Sequence, residues 1–303
     1  MSKIVISGYY GFANAGDEAM LTAIVKSLRQ AEESVDLTVI SGNPQNTSTK
    51  HLVNSIHRFA PCKIYSALAN CDLLLSGGGS LLQDVTSKKS LLYYLAVILL
   101  GKMMNKKVML YAHGIGPIRS NVLRKITQMV CNKVDLITVR DTDSLDELRR
   151  LGVTDTKIKL TADAVLTLAQ ADKVQGFKLL QNFNLSKAKP IVAISVRNWG
   201  SDDKYLQEMA KAADMLSKEK AAQIALLPLQ YPADVVACKK LQQFMKAEAV
   251  ILDTAFDTEQ FLAIMGCFDL LIGMRLHALV FAAVMGTPFI ALSYDPKIDG
   301  FVK

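Results

Sequence analysis

The residues best equipped for chemistry lie near the carboxyl end, in GMRLHALVFAAVMGTPFIAL, residues 273–292. An apolar strand is expected to end at Gly273, and Arg275 and His277 then open a helix with an Ala-rich, closely packing face. Arg275 supplies a planar, permanently charged fork suited to phosphate or carboxylate. His277 can move a proton near neutral pH. The helix start adds a partial positive charge of its own. Gly286 stops the helix, Pro288 opens the next strand, and the SYDPK that follows offers Lys297 as a third positive group. This equipment suits a small anion held beside a proton carrier.

Other candidates sit where apolar runs give way to glycine. GYYGFANAGDEAML, from Gly8 to Leu21, lets the backbone approach a ligand at Gly8, Gly11 and Gly16, with Asn14 or Asp17 able to cap the helix that follows. SGGGS places Gly78 and Gly79 after another apolar strand. Consecutive glycines there point to close approach by a ligand or a facing domain. YAHGIGP puts His113 at a strand end, and TVRDTDS ends a strand in Arg140, which is expected to point into a cleft while Asp141 or Asp143 caps the next helix. ISVRNW gives Arg197 the equivalent place in the second half of the chain. The glycines lack the GxGxxG spacing and no GKS/T follows, which weighs against dinucleotide and P-loop chemistry. No metal and no cofactor is expected.

Such residues need a scaffold, and the alternation of β-branched runs with amphipathic stretches describes βα units on a mostly parallel sheet. Strands are expected at residues 3–7, 37–40, 72–76, 107–112 and 136–139, with helices at 18–30 and 121–133 and a loop in the polar stretch from Gly42 to His51. A second set starts at Ile191: strands at 191–196, 223–227, 250–252, 270–272 and 288–292, helices at 203–218, 233–245, 258–265 and 276–285. The reading is an α/β chain of two doubly wound domains facing across a cleft. Residues 1–165 form the first, 166–190 a polar linker region, and 191–303 the domain carrying the anion-binding motif. Ligands of such sheets bind beyond the carboxyl ends of the strands.

The composition sets the outer bounds. Half of the 303 residues are apolar and 21% are charged, which describes a packed globular protein. Lys and Arg outnumber Asp and Glu by 35 to 28, a balance that favours acidic partners. The cations form no dense tract and are not interleaved with aromatics, so nucleic acid is not expected. Five scattered cysteines without metal or redox spacing read as reduced core thiols of a cytosolic protein. The first residues, MSKIVISGYY, lack the apolar core of a signal peptide. The longest apolar run, residues 91–100, is shorter than the roughly 20 residues a spanning helix needs. It reads as a buried helix, with a membrane-surface contact as the alternative.

In their order, GYYGFANAGDEAML, SGGGSLLQD, HGIGP, TVRDTDS and GMRLHALVFAAVMGTP followed by SYDPK resemble the polysaccharide pyruvyltransferases, particularly those that act on cell-wall polymers anchoring surface layers. The resemblance covers essentially the whole chain. It implies two Rossmann-like domains of the glycosyltransferase-B-like kind. It also implies transfer of pyruvate from phosphoenolpyruvate to a sugar as a 4,6-ketal. The acceptor would be a lipid-linked precursor containing N-acetylmannosamine, met at the cytoplasmic face of the membrane through a peripheral contact. The resemblance further implies Arg275 and Arg140 as donor binders, Leu276 as a backbone contact and His277 as the catalytic histidine. Lys297 would be a further basic residue, and His113 would lie toward the acceptor. Members of this kind continue past SYDPK with helical sequence that would brace the domains. Two rival readings are a glycosyltransferase of the same fold, with Arg275 and His277 facing a nucleotide sugar's diphosphate, and a non-catalytic protein that binds sugar phosphates.

Overall fold

The computed structural model describes residues 1–200 and 202–303, and the chain divides into two compact units. The first comprises Met1–Phe12 with Asp17–Thr167, the second Ala13–Gly16 with Leu168–Lys303.

The first unit follows a strand-helix alternation: β1 (Lys3–Ser7), α1 (Ala15–Ala31, its first two residues belonging to the second unit), β2 (Asp36–Ser41), α2 (Pro44–His51), β3 (Asn54–His57), α3 (Pro61–Asn70), β4 (Leu73–Leu82), α4 (Lys88–Met103), β5 (Lys107–Ile115), α5 (Asn121–Cys131), β6 (Leu136–Val139), α6 (Thr142–Leu151) and β7 (Ile158–Leu160). Its described strands form one parallel sheet in the order β3-β2-β1-β4-β5-β6-β7, so the direction of winding reverses between β1 and β4. Val5, Leu74, Val108 and Ile137 are buried in the central strands, as expected of a sheet covered on both faces. The apolar run 91–100 lies in α4, where Leu91, Tyr94, Leu95, Val97 and Ile98 pack into the core. Among the described residues no helix is long and apolar enough to cross a membrane.

Two expectations change here. The polar stretch after Gly42 is the helix α2, not a loop: Asn43 accepts the N–H of Asn46 as its cap, and Pro44 occupies the first turn. Its ordering comes from caps and from two buried residues, Thr47 and His51, and an apolar stripe is lacking. The strand expected to stop at Ser76 runs on to Leu82, so the glycines of SGGGS lie inside β4.

The second unit opens with α7 (Lys173–Gln181), inside the stretch read as a linker and packed through Gly176 against the Ala263 backbone. Then follow β8 (Ile191–Ser195), α8 (Lys204–Lys220), β9 (Gln223–Leu226), α9 (Ala233–Phe244), β10 (Ala249–Ile251), α10 (Thr258–Met265), β11 (Leu270–Gly273), α11 (Leu276–Met285), β12 (Phe289–Ala291) and α12 (Pro296–Val302). The described strands pair in parallel in the order β10-β9-β8-β11-β12, with the reversal between β8 and β11. Helix α11 is apolar on every side and buries seven of its residues, which fixes its N-terminus firmly beyond the end of β11. All five cysteines are free thiols, and Cys62 is exposed where a core position was expected.

Candidate functional site

At the reversal point of the second unit, β8 and β11 end side by side: Gly273 pairs with Ser195, and the Met274 N–H donates to the Ser195 carbonyl at 2.9 Å. The loop then turns at Arg275, the N-cap of α11, which has extended backbone and makes no side-chain cap. Its side chain reaches across to Asp234 in the first turn of α9. Nε donates to one carboxylate oxygen at 2.9 Å and Nη2 to the other, while Nη2 also lies 3.2 Å from the Gln230 side-chain oxygen. Asp234 is 2% exposed and accepts the Gln230 N–H at 2.9 Å as well. A bidentate pair of this kind fixes the plane of the guanidinium.

Leu276 turns its side chain into the core, which leaves its backbone N–H at the first turn of α11, where helix geometry supplies no acceptor. His277 follows, half-buried, with its ring against Gly16: a Cβ at Gly16 would overlap the imidazole. The N-terminal motif reaches this position because Ala13–Gly16 is stitched to the loop after β9. The Ala15 N–H donates to the Leu229 carbonyl at 3.0 Å, the Tyr231 N–H to the Ala13 carbonyl at 3.2 Å, and Asn14 bridges Gln230. The Asn14 side chain caps the helix start through the Gly16 N–H at 3.1 Å.

Flanking strand ends carry two more cations. Arg197, after β8, donates to the Tyr294 hydroxyl at 2.9 Å, and Trp199 meets Tyr205 and Tyr294 nearby. Lys297, after β12, is part-exposed and pairs with Asp295 at 3.1 Å. The second unit thus brings together Asn14, Gly16, Arg275, Leu276 and His277, with Arg197 and Lys297 on either side. Asp234 and Gln230, which hold Arg275, are not among the residues expected from the sequence. An acid in the first turn of the helix following a strand, in LPLQYPAD, is the signal that could have found them.

The remaining candidates belong to the first unit. Gly78 and Gly79 hold positive φ angles of 45° and 75°; a Cβ at Gly78 would strike Met20 of α1, and one at Gly79 would come within 3.3 Å of Asp17. Close packing of α1 on β4 therefore accounts for Gly78. Arg140 does not stand open. Its side chain is 5% exposed, bonded to Asp163 at 3.0 Å and Ser80 at 3.1 Å, and 3.5 Å from Asp141, which caps α6. Gly114 of HGIGP makes the room, since a Cβ there would sit 2.8 Å from the guanidinium. Two carboxylates already neutralise this arginine. His113 is completely buried, with Nε2 3.0 Å from the Ser76 carbonyl oxygen, so it shows no surface to an acceptor. Burial lowers its pKa to about 4; the bond to Ser76 opposes that shift and the Arg140 charge adds to it.

Two doubly wound units of this kind define the glycosyltransferase-B-like fold class. The chain belongs to the polysaccharide pyruvyl transferase family, whose model matches residues 14–296. The amylovoran biosynthesis protein AmsJ of Erwinia amylovora is 24% identical, over 99% of this chain and 85% of that protein. Among solved structures, the fold is shared with UDP-GlcNAc 2-epimerase of Neisseria meningitidis bound to UDP-GlcNAc. The TM-score is 0.66 at 13% identity, covering 99% of this chain and 85% of that one. It is shared too with HepE of Anabaena in complex with UDP and glucose, with a TM-score of 0.64 at 14% identity, covering 96% and 80%. At such identities the likeness concerns the fold alone.

Proposed function

We propose that the chain transfers the pyruvyl group of phosphoenolpyruvate to two hydroxyls of one sugar as a 4,6-ketal, with release of phosphate. The observation that carries this reading is the start of α11, where Arg275, the Leu276 N–H and His277 converge at the sheet's reversal point in a chain of this family. Phosphoenolpyruvate bears a carboxylate and a phosphate. The open helix start, the outer edge of Arg275 and Lys297 supply complementary charge. In the first step one sugar hydroxyl adds to C2 and its proton is taken up, while C3 gains a proton and becomes a methyl group. Phosphate then leaves C2, and the second hydroxyl closes the ring with loss of its proton. In this reading His277 carries these protons, and the cations stabilise the carboxylate and the departing phosphate.

Arg140, enclosed by acids, serves in this scheme as a brace for its loop instead of a donor ligand. The acceptor implied by the family resemblance is a lipid-linked cell-wall precursor containing N-acetylmannosamine, modified in the cytoplasm at the inner membrane face. The test is acceptor-dependent release of phosphate from phosphoenolpyruvate, measured beside release of UDP from a UDP-sugar with the same acceptor. Phosphate release alone supports pyruvyl transfer. UDP release alone would replace it with glycosyl transfer.

A further inference from the structure

In the first unit, Arg124, Arg140, Arg149 and Arg150 each reach a carboxylate. Arg58 has no such acid among the described residues. Its guanidinium carbon lies instead 4.7 Å from the ring centroid of Tyr93, 5.0 Å from Phe59 and 5.3 Å from Phe12. Its Nε is buried without a hydrogen-bond partner. So is the hydroxyl of Tyr94, a residue only 1% exposed whose ring meets the edge of Tyr93 at 5.2 Å.

The arrangement is built, not incidental. The Arg58 N–H donates to the Ser41 carbonyl at 2.9 Å, and the Tyr93 hydroxyl donates to the Arg58 carbonyl at 3.1 Å. Phe12 is stacked on Tyr9 at 4.2 Å and overlies Gly42, where a Cβ would come within 2.6 Å of its ring. Phe59, by contrast, is 71% exposed. Helix α3 begins two residues later, with no side-chain cap and no acid in its first turn. These residues follow β1, β2 and β3, at the carboxyl edge of the sheet where such folds bind ligands.

Aromatic faces offset a cation only in part. The half-buried guanidinium still lacks an acid, and phosphate oxygens would supply acceptors along the edge that the rings leave open. The exposed ring beside it offers a flat apolar surface of the kind the C–H face of a pyranose can cover. We propose that Arg58, framed by Phe12, Phe59 and Tyr93, seats a carbohydrate that carries a phosphate, with the phosphate on Arg58 and the sugar ring on Phe59. The choice of carbohydrate rests on the reading that the chain acts on a sugar.

The Arg58 Nε–Hε resonance, assigned by its loss in Arg58→Gln, reports on this place alone. It should shift saturably with glucose 1-phosphate at concentrations up to about 10 mM. Inorganic phosphate and glucose should each bind at least roughly tenfold more weakly. Phe59→Ala, at an exposed position that folding does not need, should weaken glucose 1-phosphate about 3–10-fold and leave inorganic phosphate unchanged. A resonance that does not move with glucose 1-phosphate overturns the proposal. So does equal affinity for inorganic phosphate and glucose 1-phosphate, or equal affinity in wild type and Phe59→Ala. The titration uses neither phosphoenolpyruvate nor turnover, so this seat and pyruvyl transfer fail separately.

Discussion

His277 and Gly16 form a contact that only a residue without a side chain permits. If His277 carries the proton, His277→Gln keeps size and hydrogen bonding while removing the titrating group. Turnover should fall roughly 10²–10⁴-fold, with the melting temperature and phosphoenolpyruvate affinity close to wild type. A stable variant that turns over at the wild-type rate would remove His277 from the proton path. The other strand-end histidine behaves differently. His113 has its folded pKa lowered to about 4 from an unfolded value of 6.5, so between those values the unfolded chain binds a proton that the folded one does not. Its contribution is complete above the unfolded value and is lost as pH falls through that window. Stability should drop by about 2 kcal/mol from roughly pH 7 to pH 5 on this account, and His113→Asn should flatten the slope of the urea midpoint against pH. An unchanged slope would assign the acid sensitivity to other groups.

At the scale of elements, the triple glycine shows how packing can imitate a ligand loop. The positive φ of Gly78 and the Met20 side chain above it make Gly78→Ala costly, about 2–3 kcal/mol in urea denaturation. In a Met20→Ala background only the backbone part should remain, about 1 kcal/mol. Equal cost in both backgrounds would mean that Met20 is not what the glycine accommodates. The sequence showed where strands and helices had strong apolar period: β1, β6, α10 and α11 have the bounds expected of them. It did not show α2, whose order rests on the Asn43 cap and on a buried contact of His51 with Glu18 at 3.0 Å. Nor did it show β3, with one apolar residue in NSIH. The site was legible in the same way. Arg275 and His277 stand at a visible helix start, whereas Asp234 lies 41 positions earlier and only the fold brings it to Arg275.

For the molecule as a whole, the division into units is not a division of the chain at one point. Ala13–Gly16 sits between two stretches of the first unit yet belongs to the second, bound to Leu229, Gln230 and Tyr231 beside the start of α11. The GYYGFANAGDEAML motif therefore serves both units: Tyr9 and Phe12 stack in the first, and Asn14 and Gly16 complete the surroundings of His277 in the second. Local opening of a unit sets the exchange of its amides, and a ligand slows exchange where its binding suppresses that opening. Phosphoenolpyruvate should thus slow hydrogen exchange in three separated stretches, residues 273–279, 229–231 and 13–16. The central strands β4 and β5 and the Arg140 loop should exchange as they do without it. Protection confined to residues 111–116 and 136–144, with α11 unaffected, would move the donor to the Arg140 side and undo the role given to Arg275. Protection at α11 without residues 13–16 would keep the donor there but show that the N-terminal segment takes no part in holding it.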